Sequence, residues 1–180
     1  MYKQEQKNRG AERSLTALFA YFCLHHIACV KRTADIEHFS HVAFVPSTKA
    51  TGQDVHPLES MLAPKVRALA PVQLSVNPEI ASTRRSFEPG WFHVETDIRG
   101  HAANVLLIDD TWVTGARAQS ATHSLKRAGA RKVVVLVLAR QVSTTYPQAK
   151  TLLKRMDHEE FDMDVCAFHH DRGPTVPSPR

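Results

Sequence analysis

Residues 105–117 read VLLIDDTWVTGAR and contain the strongest signal for the fold. Four consecutive aliphatic residues predict a strand that is buried on both faces, as in a parallel sheet. Asp109 and Asp110 follow this strand directly, and residues 111–114 are expected to turn the chain into a helix that starts near Gly115. In open α/β sheets, ligands bind outside the carboxyl ends of the strands. The two carboxylates are therefore predicted to lie at a ligand-binding edge.

The predicted turn after the two acids has the chemistry of an anion site. Successive backbone N–H groups in such a turn form a concavity for anions, and a helix N-terminus adds further N–H donors. Thr111 and Thr114 can contribute hydroxyl donors, while the two acids can accept from sugar hydroxyls. This combination favours a phosphorylated sugar. A purely structural alternative stays open, in which the acids and threonines only cap the next helix.

The rest of the chain alternates between strand and helix patterns. Strands are predicted at 41–45, 72–76, 104–108, 132–138 and 164–168, and helices at about 11–31, 57–69, 116–128 and 146–157. This alternation predicts an α/β fold with an open, mostly parallel twisted sheet and helices on both faces. We expect one domain over residues 11–168, with a flexible N-terminus at 1–10 and a flexible tail at 169–180. Residues 77–101 show no sustained period and are expected to form a mobile excursion, with a hairpin strand at 92–96.

Composition and charge suit a globular domain with an anionic ligand. The 180 residues are 43% hydrophobic and 23% charged, which excludes a disordered chain. The formal net charge is +5, which is compatible with an anionic partner. A nucleic-acid partner is disfavoured, because the sequence has neither an RNP-like aromatic pattern nor a basic helix. The motifs GxxxxGK[ST] and GxGxxG, which bind nucleotides in many proteins, are also absent.

Cysteine and histidine spacing does not predict a metal site. Cys23, Cys29 and Cys166 form no CxxC pair, and the eleven histidines show no ligand spacing beside a carboxylate. An odd number of cysteines without a disulfide framework is typical of a reducing compartment.

The apolar stretch at residues 15–24 follows several basic residues, an arrangement that resembles a secretory signal. Acidic residues interrupt the basic segment, and no A-x-A cleavage site follows. The stretch is also shorter than the roughly 20 apolar residues that span a bilayer. We therefore expect a cytoplasmic protein without membrane contact, in which an amphipathic helix packs on the core through one face. That face comprises Leu15, Leu18, Phe19, Phe22 and Cys29.

Residues 105–117 resemble the phosphoribosyl pyrophosphate (PRPP) signature of type I phosphoribosyltransferases. The shared pattern is four hydrophobic residues, two acids, a short loop with threonine, and Thr-Gly. Residues 118–121, together with residues 2–3 and 45–48, are more specifically similar to ComF-like and amidophosphoribosyltransferase-like members. The resemblance implies a Rossmann-like sheet of the type I phosphoribosyltransferase kind.

The resemblance also implies roles for individual residues. Asp109 and Asp110 would hold the ribose hydroxyls. The 5′-phosphate would be bound by Thr111, Trp112, Val113, Thr114, Gly115 and Arg117. Pyrophosphate would be bound by Ser47, Thr48 and Lys49. Arg84 and Arg85 would be the basic residues of a mobile loop that closes over the site.

Some of these roles have alternatives that the sequence leaves open. Trp112 is bulky for a phosphate loop and could form a pocket wall instead. Arg117 stands where many members have Thr or Ser, and either pairs with phosphate or points outward. Arg84 and Arg85 could equally belong to a solvated loop.

The implied activity is transfer of a phosphoribosyl group from PRPP to an unidentified nitrogen acceptor, with release of pyrophosphate. The implied cofactor is Mg²⁺, held mainly by the ligand rather than directly by the protein, and the expected ligand is PRPP or a nucleoside monophosphate. Val113 replaces the acid found in some purine-salvage members, which argues against those enzymes. A non-catalytic PRPP- or nucleotide-binding regulatory module, including a ComF-like accessory protein of DNA uptake, is the alternative. A homodimer is left open.

Overall fold

A computed structural model describes residues 2–47, 56–80, 86–144, 149–158 and 162–166. Its elements, in chain order, are α1 (Tyr2–Thr33), β1 (His41–Phe44), α2 (Pro57–Leu62), a 3₁₀ turn (Ala63–Lys65), β2 (Ala70–Val72), β3 (Leu74–Val76), β4 (Phe92–Val94), β5 (Asn104–Trp112), α3 (Ala116–Arg127), β6 (Lys132–Arg140) and α4 (Lys150–His158). The 3₁₀ turn contains Pro64, which lacks the N–H needed to continue α2.

The centre of the fold is a four-stranded sheet with the order β2-β1-β5-β6, and all of its pairs are parallel. The predicted α/β class with a parallel sheet is therefore confirmed. From β1 the chain moves to β2 on one side, whereas from β5 it moves to β6 on the other. The order thus reverses between β1 and β5, where His41 pairs with Val105 and Phe44 pairs with Ile108.

Helices cover both faces of this sheet, as the sequence predicted. Val105 and Leu107 of β5 face a core cluster that includes Leu125 of α3. Leu106 and Ile108 face the opposite cluster, which includes residues of α1 and α2. All four aliphatic residues of β5 are at most 2% exposed. The run of aliphatic residues is continuous because both faces of the strand are buried.

The excursion at residues 77–101 differs from its sequence prediction in the part that the structure describes. β4 pairs antiparallel with β3, with Leu74 opposite Val94, which confirms the hairpin strand. However, Trp91, Phe92 and Ile98 are at most 3% exposed and belong to the core. The sequence missed this because the three residues follow neither a strand nor a helix period. Arg84 and Arg85 lie outside the described residues, so their predicted role stays a prediction.

Strand predictions elsewhere needed three corrections. The single strand expected at 72–76 is divided, because Val72 belongs to the parallel sheet and Leu74 to the hairpin. β6 is half-buried along 132–138 instead of fully buried. Within 162–166, only Val165 forms a bridge, and residues 167–168 of the predicted last strand are not described.

α1 is longer and more exposed than predicted. It begins at Tyr2, nine residues before the expected start, and runs to Thr33. Phe19 and Cys29 are buried as expected, but Leu15 and Leu18 are each 37% exposed, so the predicted apolar face packs only in part. Its segment Arg9–Thr33 is long and apolar enough to cross a membrane by length and composition, with 22% of its most apolar window buried. The apolar segment is thus longer than the stretch 15–24 that we considered from the sequence. Core helices of other proteins and signal sequences satisfy the same criterion of length and composition.

Candidate functional site

The candidate site lies at the carboxyl end of β1, beside the last residues of β5. The N–H of Val45 donates to the carbonyl oxygen of Ile108 at 3.0 Å, which keeps the two chains paired up to the last aliphatic residue. Ser47 follows β1, and Asp109 follows Ile108. The strand order reverses between these strands, and in open α/β sheets ligands usually bind outside the carboxyl ends of the strands at such a reversal.

The two acids differ in environment although they are neighbours. β5 continues to Trp112, so Asp109 and Asp110 lie in the strand and point to opposite faces. Asp109 is 7% exposed and lies on the α3 side, whereas Asp110 is exposed. The N–H of Asp110 donates to Oδ1 of Asp109 at 3.0 Å. One carboxylate is thus held inside the protein while the other faces outward.

The predicted turn is shorter than the sequence suggested. We expected residues 111–114 to turn the chain, but Thr111 pairs with Ala139 and Trp112 pairs with Arg140. The N–H of Gln141 also donates to the carbonyl oxygen of Trp112 at 2.9 Å. Pairing with the long strand β6 therefore keeps β5 extended, and residues 113–115 alone form the turn.

Burial sets the electrostatics of Asp109. The pKa of its carboxyl is raised to about 6, mainly because burial removes hydration and secondly because the Asp110 carboxylate lies nearby. The N–H of Asp110 and the guanidinium of Arg117 act in the opposite direction. Arg117 is half-buried, and its charge acts on Asp109. Its pairing with phosphate stays a prediction.

The turn is built around Gly115. Its φ of +78° is in the left-handed region, and a Cβ at this position would lie 2.2 Å from Cζ2 of the Trp112 indole. The indole therefore lies directly against the glycine, as a wall of the loop. Only glycine fits both the backbone conformation and the space.

The start of α3 presents backbone donors beside the acids. The first hydrogen bond within α3 runs from the N–H of Gln119 to the carbonyl oxygen of Gly115, at 2.9 Å. The Thr114 hydroxyl accepts from the N–H of Ala116 at 3.3 Å. The N–H groups of Arg117 and Ala118 belong to the same first turn, where helix geometry supplies no carbonyl partner. Such a helix end attracts anions.

The structure thus brings most of the predicted ligand-binding residues together. Asp109, Asp110 and Arg117 lie around the turn formed by residues 113–115, and Ser47 follows the neighbouring strand. Thr48 and Lys49 lie outside the described residues, so their predicted role at pyrophosphate is untested.

Ser120 is a residue near the site that the sequence analysis missed. Its buried hydroxyl donates to the carbonyl oxygen of Ala116 at 2.8 Å and accepts from the N–H of Glu88 at 2.9 Å. One turn later, the Ser124 hydroxyl donates to the carbonyl oxygen of Phe92 at 2.7 Å. The two serines fix the hairpin segment to α3, directly behind the turn. The sequence signal that could have identified them is their spacing of four residues, on a helix face that otherwise carries small residues.

A groove among the described residues lies elsewhere. It has a volume of about 580 Å³, lies between α1 and α2, and is lined by residues that include Glu12, Arg13 and Lys65. Neither Asp109 nor Asp110 contributes to it. The mixed charges of its lining do not define a ligand, so we place the candidate site at the sheet edge on chemical grounds.

Comparison of the chain with models of known protein families and with curated proteins gives no match. The interpretation of the site therefore rests on its geometry and chemistry.

We predict that Asp109→Asn raises stability at neutral pH. A native pKa of about 6, above the ordinary value of 3.8, means that the folded state favours the protonated acid. The contribution of the protonated acid to the free energy of unfolding is complete below about pH 3.8 and is lost as the pH rises through about 6. Urea denaturation should therefore show Asp109→Asn more stable than the parent by about 2–3 kcal/mol at pH 7.5, with little difference at pH 4.

The matched control for that measurement is Asp35→Asn. Asp35 is exposed and forms a surface ion pair with Lys132 at 3.5 Å. Asp35→Asn should therefore change the free energy of unfolding by no more than about 1 kcal/mol at both pH values. An Asp109→Asn protein that is less stable than the parent at both pH values would show that the carboxylate is a structural acceptor.

We predict that Gly115→Ala is more damaging than Gly100→Ala. Both glycines have φ near +78°, but nothing lies within 4 Å of a Cβ at Gly100. The shared backbone strain costs about 1–2 kcal/mol, and only Gly115→Ala adds the clash with Trp112. Thermal unfolding should show a larger decrease in Tm for Gly115→Ala than for Gly100→Ala. Adding Trp112→Ala to Gly115→Ala should remove this extra decrease, because the clash is then absent. Equal losses at the two glycines would contradict the contact.

Proposed function

We propose that the protein binds PRPP at the carboxyl ends of β1 and β5 and transfers its phosphoribosyl group to a nitrogen acceptor, with release of pyrophosphate. The observation that carries the proposal is the acid pair at the reversal of strand order. Asp109 is almost fully buried, and burial raises its pKa to about 6. A carboxylate that is buried although burial disfavours its charged form, and that lies at the usual ligand position of the sheet, is typical of a functional group.

The acid pair suits the ribose of such a ligand. Vicinal sugar hydroxyls are neighbouring donors. Asp109 and Asp110 are adjacent acceptors three and two residues before the end of β5, one buried and one exposed, so each would accept from a different hydroxyl. A hydrogen bond to a charged group contributes roughly 1.5–3 kcal/mol. Donation from ribose would favour the ionised form of Asp109, so binding at pH 6 would release a proton.

The turn and the start of α3 suit the 5′-phosphate. Residues 113–115 and the N–H groups of Arg117 and Ala118 provide backbone donors, and a helix N-terminus favours an anion. The Arg117 side chain adds a cation next to Asp109. A phosphate here would lie within one sugar length of the acids, as a ribose 5-phosphate group requires.

Magnesium is compatible with the donors at this edge. Asp109 and Asp110 supply the hard oxygen atoms that Mg²⁺ prefers. Within the described parts of the chain, no three His, Cys, Asp or Glu side chains come together, so a bound ion would take its other ligands from the phosphates and water. When bound, Mg²⁺ would neutralise charge on the leaving pyrophosphate.

In the proposed reaction, the bond from ribose C1 to pyrophosphate breaks and a bond from C1 to nitrogen forms. The ribose centre becomes cation-like, and the two nearby carboxylates oppose its positive charge. Holding the phosphate and the hydroxyls fixes C1 relative to the acceptor, which lowers the entropic part of the barrier. Ser47, three residues after the end of β1, would contact pyrophosphate.

A non-catalytic PRPP- or nucleotide-binding regulatory module is the second candidate. The observation that favours it is the contact of the Trp112 indole with Gly115, which reduces the space beside the turn. Val113 is 46% exposed and apolar, so this position offers no acid to an incoming base. Such a protein would bind the ligand without releasing pyrophosphate.

We predict that the protein releases pyrophosphate from PRPP and Mg²⁺ when a suitable base, amine or ammonia is supplied. The double variant Asp109→Asn/Asp110→Asn should bind PRPP at least a hundredfold more weakly, since two charge-assisted hydrogen bonds are lost. The control is Asp35→Asn/Asp97→Asn, which removes two acids that precede the amino ends of β1 and β5. Calorimetry and a pyrophosphate assay measure the two effects.

Binding without pyrophosphate release for any acceptor in the panel would favour the regulatory module. Absence of PRPP and nucleotide binding at millimolar ligand would overturn both candidates.

A further inference from the structure

The segment at residues 162–166 lies along α1. Nε2 of His26 is 2.8 Å from the carbonyl oxygen of Met163. The Tyr21 hydroxyl donates to the carboxylate of Asp164. These contacts join a helix near the start of the chain to a segment near its end.

A cysteine of α1 and a cysteine of this segment lie next to each other in this region. Cys29 lies three residues after His26, and Cys166 lies three residues after Met163. Cys29 is 7% exposed, Cys166 is 1% exposed, and their thiols share a hydrogen bond. The two sulfur atoms are therefore neighbours in a closed site.

The described residues place no third metal ligand beside the thiol pair. In the described ranges, no cluster of three His, Cys, Asp or Glu side chains occurs. Nε2 of His26 is used for the contact with Met163. Two adjacent thiols are suited to forming a bond with each other.

We propose that Cys29 and Cys166 form a reversible disulfide when the protein meets a low-molecular-weight disulfide oxidant, and that this bond fixes the segment at 162–166 to α1. The inference does not depend on the proposed PRPP chemistry, because it involves a different part of the chain.

The reaction is two successive thiol–disulfide exchanges. One cysteine thiolate attacks a sulfur of the oxidant, whose S–S bond breaks and releases one small thiolate. The second cysteine thiolate attacks the protein sulfur of this mixed disulfide, releases the other small thiolate and forms the Cys29–Cys166 bond. The two protein thiols are oxidised, the oxidant is reduced to two thiols, and the two cysteine protons end on those thiols.

Access to the buried pair requires local opening. Burial raises the pKa of the Cys29 thiol, and the hydrogen bond with Cys166 adds to this effect, so the closed site holds little thiolate. Residues 162–165 are exposed and are attached through His26 and Tyr21. A short segment whose residues 162–165 are exposed can open without global unfolding. Oxidation should therefore be slow but should not need denaturant.

The disulfide would join residues separated by most of the chain. Closing so large a loop restricts the unfolded state strongly, and the expected rise in Tm is on the order of 10 °C.

The test uses the full chain incubated with oxidised glutathione, followed by alkylation of the remaining thiols and peptide mapping. We expect a Cys29–Cys166 cross-linked peptide, alkylated Cys23, and full reversal by dithiothreitol. Cys23 is the internal control, because it is half-buried and does not belong to the pair. Separate alkylation of Cys29 and Cys166, or a cross-link that involves Cys23, would overturn the proposal.

Cysteine variants and thermal unfolding provide two further measurements beside the peptide map. Cys23→Ser should retain the cross-link, and Cys166→Ser should abolish it. Because Cys166→Ser places a hydroxyl in a buried site and can impair folding, the parent protein is also melted before and after oxidation. A reversible rise in Tm supports the disulfide, and an unchanged Tm contradicts it.

Discussion

Parallel pairing of β1 with β5 is the constraint on which the rest of the structure depends. It places Phe44 beside Ile108, and the chain then leaves the two strands in opposite directions to β2 and β6. The same pairing buries the aliphatic residues of β5 and brings the acids that follow them to a crevice. Core and candidate site are therefore produced by one strand. A change in its register would move Asp109 and Asp110 out of the site and their aliphatic neighbours out of the core.

The acid pair shows how function can compete with stability. Asp109 has almost no contact with water, and its pKa of about 6 reports a free-energy cost for the charged form at neutral pH. Apolar residues at this position would suit the core better. A ligand that donates hydrogen bonds to the two acids would offset the cost of the charged Asp109 on binding. The buried position of Asp109 in the fold thus favours the proposed PRPP site.

The central part of the fold could be predicted from sequence because its signals are local. Four aliphatic residues in a row identify β5, and Gly129, with φ of +108° after α3, ends that helix as expected. The extension of β5 to Trp112 could not be seen, since it depends on pairing with β6. The burial of Trp91 was also invisible, because its partners come from α3 and lie far along the chain. Leu15 was wrongly placed in the core because helical spacing defines a face without showing what covers it.

Amide chemical shifts during titration with PRPP and Mg²⁺ test the central claim most directly. The account predicts shifts at residues 113–118 and 45–47, which surround the carboxyl ends of β5 and β1. Amides at 40–41 and 104–105, at the opposite ends of the same strands, should not change. Shifts confined to the groove between α1 and α2, or no shift at residues 113–118 under millimolar PRPP, would contradict it.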